Sequence, residues 1–512
     1  MTSLPDAVHQ DAHLSTAHLL KGLKGRTVSG GIVTTLMQVV LLMMNLGSVV
    51  ALARLLTPQD FGLVGMVFGF MSIFRVFNDA GLSVATIQRE GITHAQVSNL
   101  FWTNVALGGM ITLVVALAAP VIARFYGEPR LIAVTLLLSL TFLLTSSSVQ
   151  HMALLKRQMR FSAIALIQLA SVAVGIGVAM AMAWFEFGYW CLVGMQISTP
   201  LVALVMTWLT CPWRPQLPVR NTGTRSLLNF GANITVSGFL WSLSRGIDSL
   251  LIGRFFGSEA LGFYTRTTAL INRPMEQAIP PLEAIFVPAL ARLQTQAERY
   301  RRVAFRIFDS IALVSLPVSA MLLPLAQPVS VVLLGQKWEG AAPIFAAFSL
   351  YALYIPMVMV AGWLLSSQGR GRDFLVLSSF TSTITVVSFL VGLRFGPVGV
   401  AASFSLSCLL IQLPVTYWVA GKAGLVTTRD LWWRFFSQLP LWVVVFTTTF
   451  LVRLAVVGSA PFAQLLVCGA AGVVAYATFI CLYRPSREAA WNLYQIGRDW
   501  MKGHDLPGKI EQ

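Results

Sequence analysis

Apolar residues run along this chain in long blocks separated by short polar links. Eleven stretches hold no Asp, Glu, Lys or Arg: 27–53, 91–123, 131–155, 161–185, 187–213, 310–336, 340–369, 374–393, 395–421, 435–452 and 454–483. Each meets or approaches the roughly 20 residues that a helix needs to cross a bilayer. Three more, 61–83, 227–252 and 261–290, are as apolar but carry charges. Hydrocarbon offers the backbone no hydrogen-bond partner, so each block is expected as a helix. The pattern predicts an all-α, multi-pass membrane protein of about fourteen transmembrane helices, in which spans 2, 7 and 8 are the charged ones.

The basic residues orient these spans. With an even count both ends face one side. The two tails and the links on that side hold 25 Lys and Arg, against seven in the opposite links: Arg54, Arg124, Arg130, Arg254, Lys337, Arg394 and Arg453. Positive residues mark the cytoplasmic side, so both termini are expected in the cytoplasm. The first 27 residues are polar and show no early apolar core, which argues against a cleaved signal peptide. The links are short, so no outward-facing domain with a catalytic cluster is expected. The longest cytoplasmic links are 214–225 and 292–306; the second reads as an amphipathic surface segment with Arg299, Arg301, Arg302 and Arg306.

The chain also repeats itself. Leu52-Ala-Arg-Leu-Leu-Thr-Pro-Gln-Asp-Phe-Gly-Leu63 aligns with Ile252-Gly-Arg-Phe-Phe-Gly-Ser-Glu-Ala-Leu-Gly-Phe263 at an offset of 200, and Gly31 with Gly231. Gly127 and Phe187-Gly188 recur as Gly335 and Phe395-Gly396 at an offset of 208. This pairs spans 1–6 with spans 7–12 in the same orientation, a parallel repeat of the kind whose halves rock about a site near the midplane. The expected organisation is a cytoplasmic tail (1–27), an N-lobe (28–213), a linker (214–226), a C-lobe (227–421), two extra helices (422–483) and a second cytoplasmic tail (484–512).

Composition narrows the function. The 512 residues are 56% hydrophobic and only 11% charged, which excludes several water-exposed domains. Mean hydropathy is +0.73. A net charge of +16 would suggest nucleic acid in a soluble protein, but here the basic residues sit in the links, and no nucleic-acid partner is expected. Cys191, Cys211, Cys408, Cys468 and Cys481 show no paired spacing, so neither a disulfide framework nor a metal site is implied. His9, His13 and His18 lie in a polar tail, His151 reads as an interface residue, and most of the 14 Trp read as interface anchors. No Walker motif is present, so ATP hydrolysis is not expected. No catalytic arrangement stands out, and the chain is expected not to be an enzyme.

Charges inside the spans are the informative residues. Each costs roughly 2.5–3.5 kcal/mol at the centre of an inserted helix, so each is expected to pair and to face a polar interior. Span 2 has Arg75 and Asp79 at i, i+4; span 7 has Arg245 and Asp248 at i, i+3; span 8 has Arg266, Arg273, Glu276 and Glu283. At about 100° per residue the four on span 8 share a face about 100° wide. Pro274, Pro280, Pro281 and Pro288 are expected to bend that helix. Arg75–Asp79 and Arg245–Asp248 also read as neutralising pairs that hold helices together, whereas two arginines on one face of span 8 exceed what packing needs. Asn45 occupies the span 1 position that matches Arg245, where an interhelical hydrogen bond is the simpler reading. Asp79, Asp248, Glu276 and Glu283 are the candidates for ion coupling.

Ala51-Leu-Ala-Arg-Leu-Leu-Thr-Pro-Gln-Asp-Phe-Gly62, Phe77-Asn-Asp-Ala-Gly-Leu-Ser-Val-Ala-Thr-Ile-Gln-Arg89, Gly253-Arg-Phe-Phe-Gly-Ser-Glu-Ala-Leu-Gly-Phe-Tyr264 and Phe187-Gly-Tyr-Trp190 together resemble the Wzx-type polysaccharide flippases, nearest the exopolysaccharide branch. The resemblance covers roughly residues 28–483. It implies the multidrug/oligosaccharidyl-lipid/polysaccharide exporter fold, two six-helix lobes about a central cavity. It implies an undecaprenyl-diphosphate-linked oligosaccharide as substrate, moved from the inner to the outer leaflet. No cofactor is implied beyond coupling to a proton or sodium gradient; partners would be membrane lipids and the polysaccharide polymerase and chain-length machinery. Arg75, Arg245, Arg266 and Arg273 fit the family's cationic cavity, although four acids accompany them here. A diphosphate head needs cationic partners, and arginine can bind it bidentately.

Three other readings compete. A drug exporter of the same superfamily would bind organic cations and want acids without matching arginines. A membrane glycan polymerase or ligase would want a sizeable outward-facing loop. A purely structural assembly component would need no ionisable interior.

Overall fold

A computed structural model describes residues 23–75, 77–79, 81–89, 91–219, 246–483, 486–488 and 490–491. The apolar blocks form helices: α1 (Leu23–Leu55), α2 (Pro58–Arg75), α3 (Leu82–Gln88), α4 (His94–Tyr126), α5 (Leu131–Arg157), α6 (Phe161–Trp184) and α7 (Trp190–Thr210) in the first half. Then follow α8 (Ile247–Arg292), α9 (Ala297–Leu322), α10 (Ala326–Leu334), α11 (Ala342–Ser367), α12 (Gly371–Gly392), α13 (Gly396–Ser407), α14 (Leu413–Gly421), α15 (Thr428–Ala455) and α16 (Pro461–Leu482). A π turn, Cys408–Gln412, joins α13 to α14.

Local chemistry sets the ends. Thr93 begins α4 with a reciprocal capping box to Gln96, Gly127 closes it in the left-handed conformation, and Thr427 with Asp430 opens α15 the same way. Thr57 and Asp60 exchange hydrogen bonds at the start of α2. Along α4 the side chains of Ile111, Val115, Ala119 and Ile122 are buried, while Leu113, Leu117 and Val121 are exposed. An apolar outer face is the surface of a helix solvated by lipid rather than water.

Among the described residues ten stretches are long and apolar enough to cross a membrane. The expected count of fourteen is not reached by that measure. Residues 371–421 count once although they hold two expected spans, while α2 and α8 carry charges. Most of span 7 lies outside the described residues.

The chain divides into two compact units, Met1–Thr265 and Arg266–Gln512, with the division inside α8. In the first unit α4 packs along α5, α6 along α7, and α1 against α6. Gly108 lets α4 approach the Phe142 carbonyl and Ser146 on α5. A cluster around Phe101, Leu154, Leu155 and Trp213 fills one end. In the second unit α9, α11 and α15 surround the main core, which includes Tyr300, Phe308, Met357, Trp363 and Tyr417. The α15–α16 pair closes a smaller cluster around Leu313, Leu441 and Val445.

Two expectations change. Span 2 is not one rod: α2 ends at Arg75, and α3 starts after Gly81, whose φ is 66°. The segment 292–306 is not a separate surface piece. Residues 297–306 are the first turns of α9 and bury Tyr300, Val303 and Ala304. Their charges kept this part out of a charge-free window, although the helix continues unbroken beneath them.

Candidate functional site

The charged span 8 is the long arm of α8, residues 258–292. The arm stays helical through all four prolines, and the one non-helical residue in α8 is Gly257, at φ 82° and ψ −175°. Along it Leu261, Tyr264, Thr267, Ile271 and Leu290 are buried. Arg273, Glu276, Pro280 and Glu283 are exposed, at spacings of three, four and three residues. That is one stripe of a 3.6-residue helix, so the structure puts these three charges on a shared open face, as their spacing predicts. Arg266 lies one heptad before Arg273, about 10.5 Å along the axis, and is half-buried.

The other candidates lie elsewhere. Asp248 is half-buried on the short arm of α8; it accepts from the Ser249 amide at 2.7 Å and from the Tyr264 hydroxyl at 3.0 Å. Arg245 is outside the described residues. Arg75 is the exposed last residue of α2, and Asp79 sits in the turn beyond it, where it accepts from the amide and hydroxyl of Ser83 at the start of α3. The i, i+4 helical pairing expected for Arg75 and Asp79 is therefore replaced by a helix end and a cap. Asn45 donates to the Leu41 carbonyl of its own helix at 2.8 Å.

The two aligned segments meet. A Cβ built on Gly62 would lie 1.6 Å from the Ser258 carbonyl oxygen, and one on Gly262 would lie 1.9 Å from the Pro58 carbonyl oxygen. Positions 58 and 258, and 62 and 262, are the pairs that the offset of 200 equates. The starts of α2 and of the long arm of α8 therefore cross backbone to backbone with a local two-fold reciprocity. Only glycine permits that approach.

Several charged groups with specific partners were absorbed by the topological count of basic residues. Arg157 is buried; its Nη1 donates to the carbonyls of Thr86, Ile87 and Arg89 at 3.0, 3.3 and 2.6 Å, capping the end of α3. Arg370 pairs with Asp373 at 2.7 Å and donates to the carbonyls of Ala420 and Val419, both at 2.7 Å, at the end of α14. Arg160, in the matching turn of the first half, donates to the Thr210 carbonyl at 3.3 Å. Each follows a Gln and a residue at positive φ, Met159 at 55° and Gly369 at 68°. The repeated Gln-x-Arg was the available sequence signal. Arg301 binds Asp430 and Arg434 binds Asp309, so two ion pairs of opposite polarity join α9 to α15.

His151 corrects its expectation. It is fully buried rather than interfacial, stacked on Trp208 with ring centroids 4.5 Å apart and edge-on to Trp213 at 5.0 Å. Trp213 and Trp338 are buried core residues too, not interface anchors.

Comparison with known proteins gives these features a context. Residues 51–343 match the family described as polysaccharide biosynthesis protein. The chain is 23% identical over 430 residues to the lipopolysaccharide biosynthesis protein WzxC of Escherichia coli (strain K12), covering 82% of this chain and 87% of that one. Among solved structures it is similar to the lipid II flippase MurJ in an inward closed conformation, with a TM-score of 0.66 at 12% identity over 88% of this chain and 99% of the other. It is also similar to an inward-facing multidrug resistance MATE family transporter of the MOP superfamily, with a TM-score of 0.55 at 15% identity over 75% and 97%. At these identities the two likenesses speak for the fold alone.

Proposed function

The chain belongs to the family of polysaccharide biosynthesis proteins, and from that membership we propose that it is a secondary transporter. It flips an undecaprenyl-diphosphate-linked oligosaccharide repeat unit across the bacterial inner membrane, for exopolysaccharide or O-antigen assembly. Both termini face the cytoplasm. Lobes 28–213 and 227–421 alternate access, with helices 422–483 outside the repeat. The transport fold is shared with drug exporters, so fold does not choose between the two substrates. The observation that carries the choice is the pair of arginines on α8, Arg266 and Arg273, one heptad apart where a cation site would hold acids alone. A diphosphate is dianionic or more and is matched by guanidinium forks, whereas an organic cation is not.

Arg266 and Arg273 hold the head group at successive depths, or one holds phosphate while the other pairs with Glu276; Arg75 and Arg245 are the further cationic candidates of the sequence. The lipid tail stays in the bilayer while the sugar crosses, so no bond is made or broken and no catalytic group is required. A proton or sodium gradient drives the cycle through Asp248 and Glu276. Polysaccharide polymerase and chain-length machinery take over the product. The decisive experiment is leaflet-specific labelling of lipid-linked repeat units at matched protein level. Arg273→Ala should abolish export and accumulate units on the inner leaflet. Arg273→Lys should be intermediate, because it keeps the charge and loses the planar fork. Normal export by Arg273→Ala would make this arginine structural.

A further inference from the structure

The segment after α7 reads Cys211-Pro-Trp-Arg-Pro-Gln-Leu-Pro-Val219, with proline at every third position. It forms no helix and no strand. Proline-rich chain favours a left-handed extended helix of three residues per turn, and that period sorts the segment into edges. Pro212, Pro215 and Pro218 form one edge and offer no N–H. Trp213, Gln216 and Val219 form another, and this edge is the one held.

Each of the three is held by the first three turns of α4. Trp213 is 1% exposed and packs against Phe101 and His151. The Gln216 amide donates to the Ser98 hydroxyl at 3.1 Å, and its carbonyl accepts from the Trp102 indole at 2.8 Å. Asn99 takes Val219 from both sides: its Nδ2 donates to the Val219 carbonyl at 2.8 Å, and its Oδ1 accepts from the Val219 amide at 2.9 Å. A side-chain amide thus imitates the pairing of a neighbouring strand. Arg214 turns back onto the segment, donating to the carbonyls of Cys211 and Trp213 at 2.8 and 2.9 Å, with its guanidinium 5.5 Å from the Trp208 ring. Four main-chain groups that water would otherwise solvate are satisfied by three side chains of one helix face.

Leaving a membrane helix does not require such a device. In the second half the chain leaves α14 at Gly421 and re-enters α15 at Thr428 through a short turn with a capping box. The clamped segment occurs where the connection runs from the first half of the repeat toward the second.

We propose that residues 211–219 are a strap that stays clamped to α4 through the whole transport cycle, with Asn99 as the positioning residue that holds its end. The proposal rests on the alternating-access reading given above. The strap moves with the first unit and is not the swivel between the halves.

Hydrogen exchange of the 211–219 peptide in the full-length protein, reconstituted in lipid, tests the clamp. In the wild type its rate should change less than twofold when a proton or sodium gradient and lipid-linked oligosaccharide are added. Asn99→Ala should exchange at least tenfold faster, and Asn99→Asp, which keeps the acceptor and loses the donor, should fall between. In a Cys481→Ser background, Ser98→Cys with Gln216→Cys joined by a short bifunctional reagent should flip lipid-linked units at the uncrosslinked rate. Faster wild-type exchange under the gradient, or a block of flipping that appears only on crosslinking, would overturn the strap. Absence of flipping in the wild type and uncrosslinked protein alike would instead overturn the flippase reading, with the exchange data still deciding the clamp.

Discussion

A methyl group at Gly62 should separate α2 from the long arm of α8. Its Cβ would lie 1.6 Å from the Ser258 carbonyl oxygen and 2.4 Å from the carbonyl carbon, where ordinary contact begins at 3.4 Å. The two segments must therefore part by about 1.8 Å, the difference of those distances, and the obstacle is backbone, which no rotamer change can move aside. Overpacking of this kind costs about 1–3 kcal/mol, and Gly62→Ala belongs at the upper end. Gly262→Ala meets the Pro58 carbonyl oxygen at 1.9 Å and should cost about as much alone. Both changes open the same crossing, so the double variant should be less destabilised than the sum by about 1–2 kcal/mol, within the range seen for contacting sites. Gly109→Ala is the control, because nothing lies within 4 Å of its Cβ position. The assay is reversible unfolding of the purified protein in mixed micelles, read as a double-variant cycle. Gly62→Ala as stable as Gly109→Ala, or strict additivity of the two crossing variants, would refute the argument.

Other variants follow from single contacts. Asp309→Ala leaves Arg434 on α15 without its carboxylate and should destabilise by about 1–3 kcal/mol, and Asp430→Ala should cost about as much, because it loses both the Arg301 pair and the capping box that opens α15; the same micelle assay measures both. Arg157→Leu removes the cap on α3 and should cost about 2–3 kcal/mol, the scale of hydrogen bonds to a charged donor, with faster hydrogen exchange confined to 82–89 as its signature. Arg370→Ala should lower stability more than Arg160→Ala, because Arg370 loses an ion pair and two carbonyl bonds and Arg160 a single long one. Asp248→Asn and Glu276→Gln should block gradient-driven flipping at unchanged membrane abundance, and full transport in both would remove them from the coupling path.

The spans were legible because hydrocarbon leaves the backbone one economical solution, and charge-free runs of Leu, Val, Ile and Phe declare it. The single face of α8 was legible for a similar reason, since Arg273, Glu276 and Glu283 are spaced for one side of a helix. What stayed hidden depended on tertiary contact. The break between α2 and α3 hangs on Gly81 and on a cap by Asp79, which at i, i+4 from Arg75 looked like half of an ion pair. The start of α9 was missed because Arg301 and Arg306 interrupt the apolar run that Tyr300, Val303, Ala304 and Ile307 continue on the buried side. Arg157, Arg160 and Arg370 were counted only for the side of the membrane they mark. Which carbonyls a guanidinium reaches is set by where helices end in space, and one sequence does not specify that. His151 was misplaced because its box of Phe101, Trp208 and Trp213 comes from three separate segments.

The π turn at Cys408–Gln412 can be read as a spare residue. An α-helix takes 3.6 residues per turn, and a π turn holds one more in the same climb. Between matched landmarks, Phe187 to Thr210 in one half and Phe395 to Val419 or Ala420 in the other, the offset grows from 208 to 209 or 210, and the π turn accounts for one residue of that growth. The surplus has a use in the second half, where Gln412 meets Tyr354 and Thr385. Any residue-by-residue comparison of the halves must slip at this point. Excising one residue from the turn would restore a regular helix and leave Leu413 to Gly421 facing α11 as they do now, because the extra residue is held within one turn; what the excision would disturb is the reach of Gln412 to Tyr354 and Thr385.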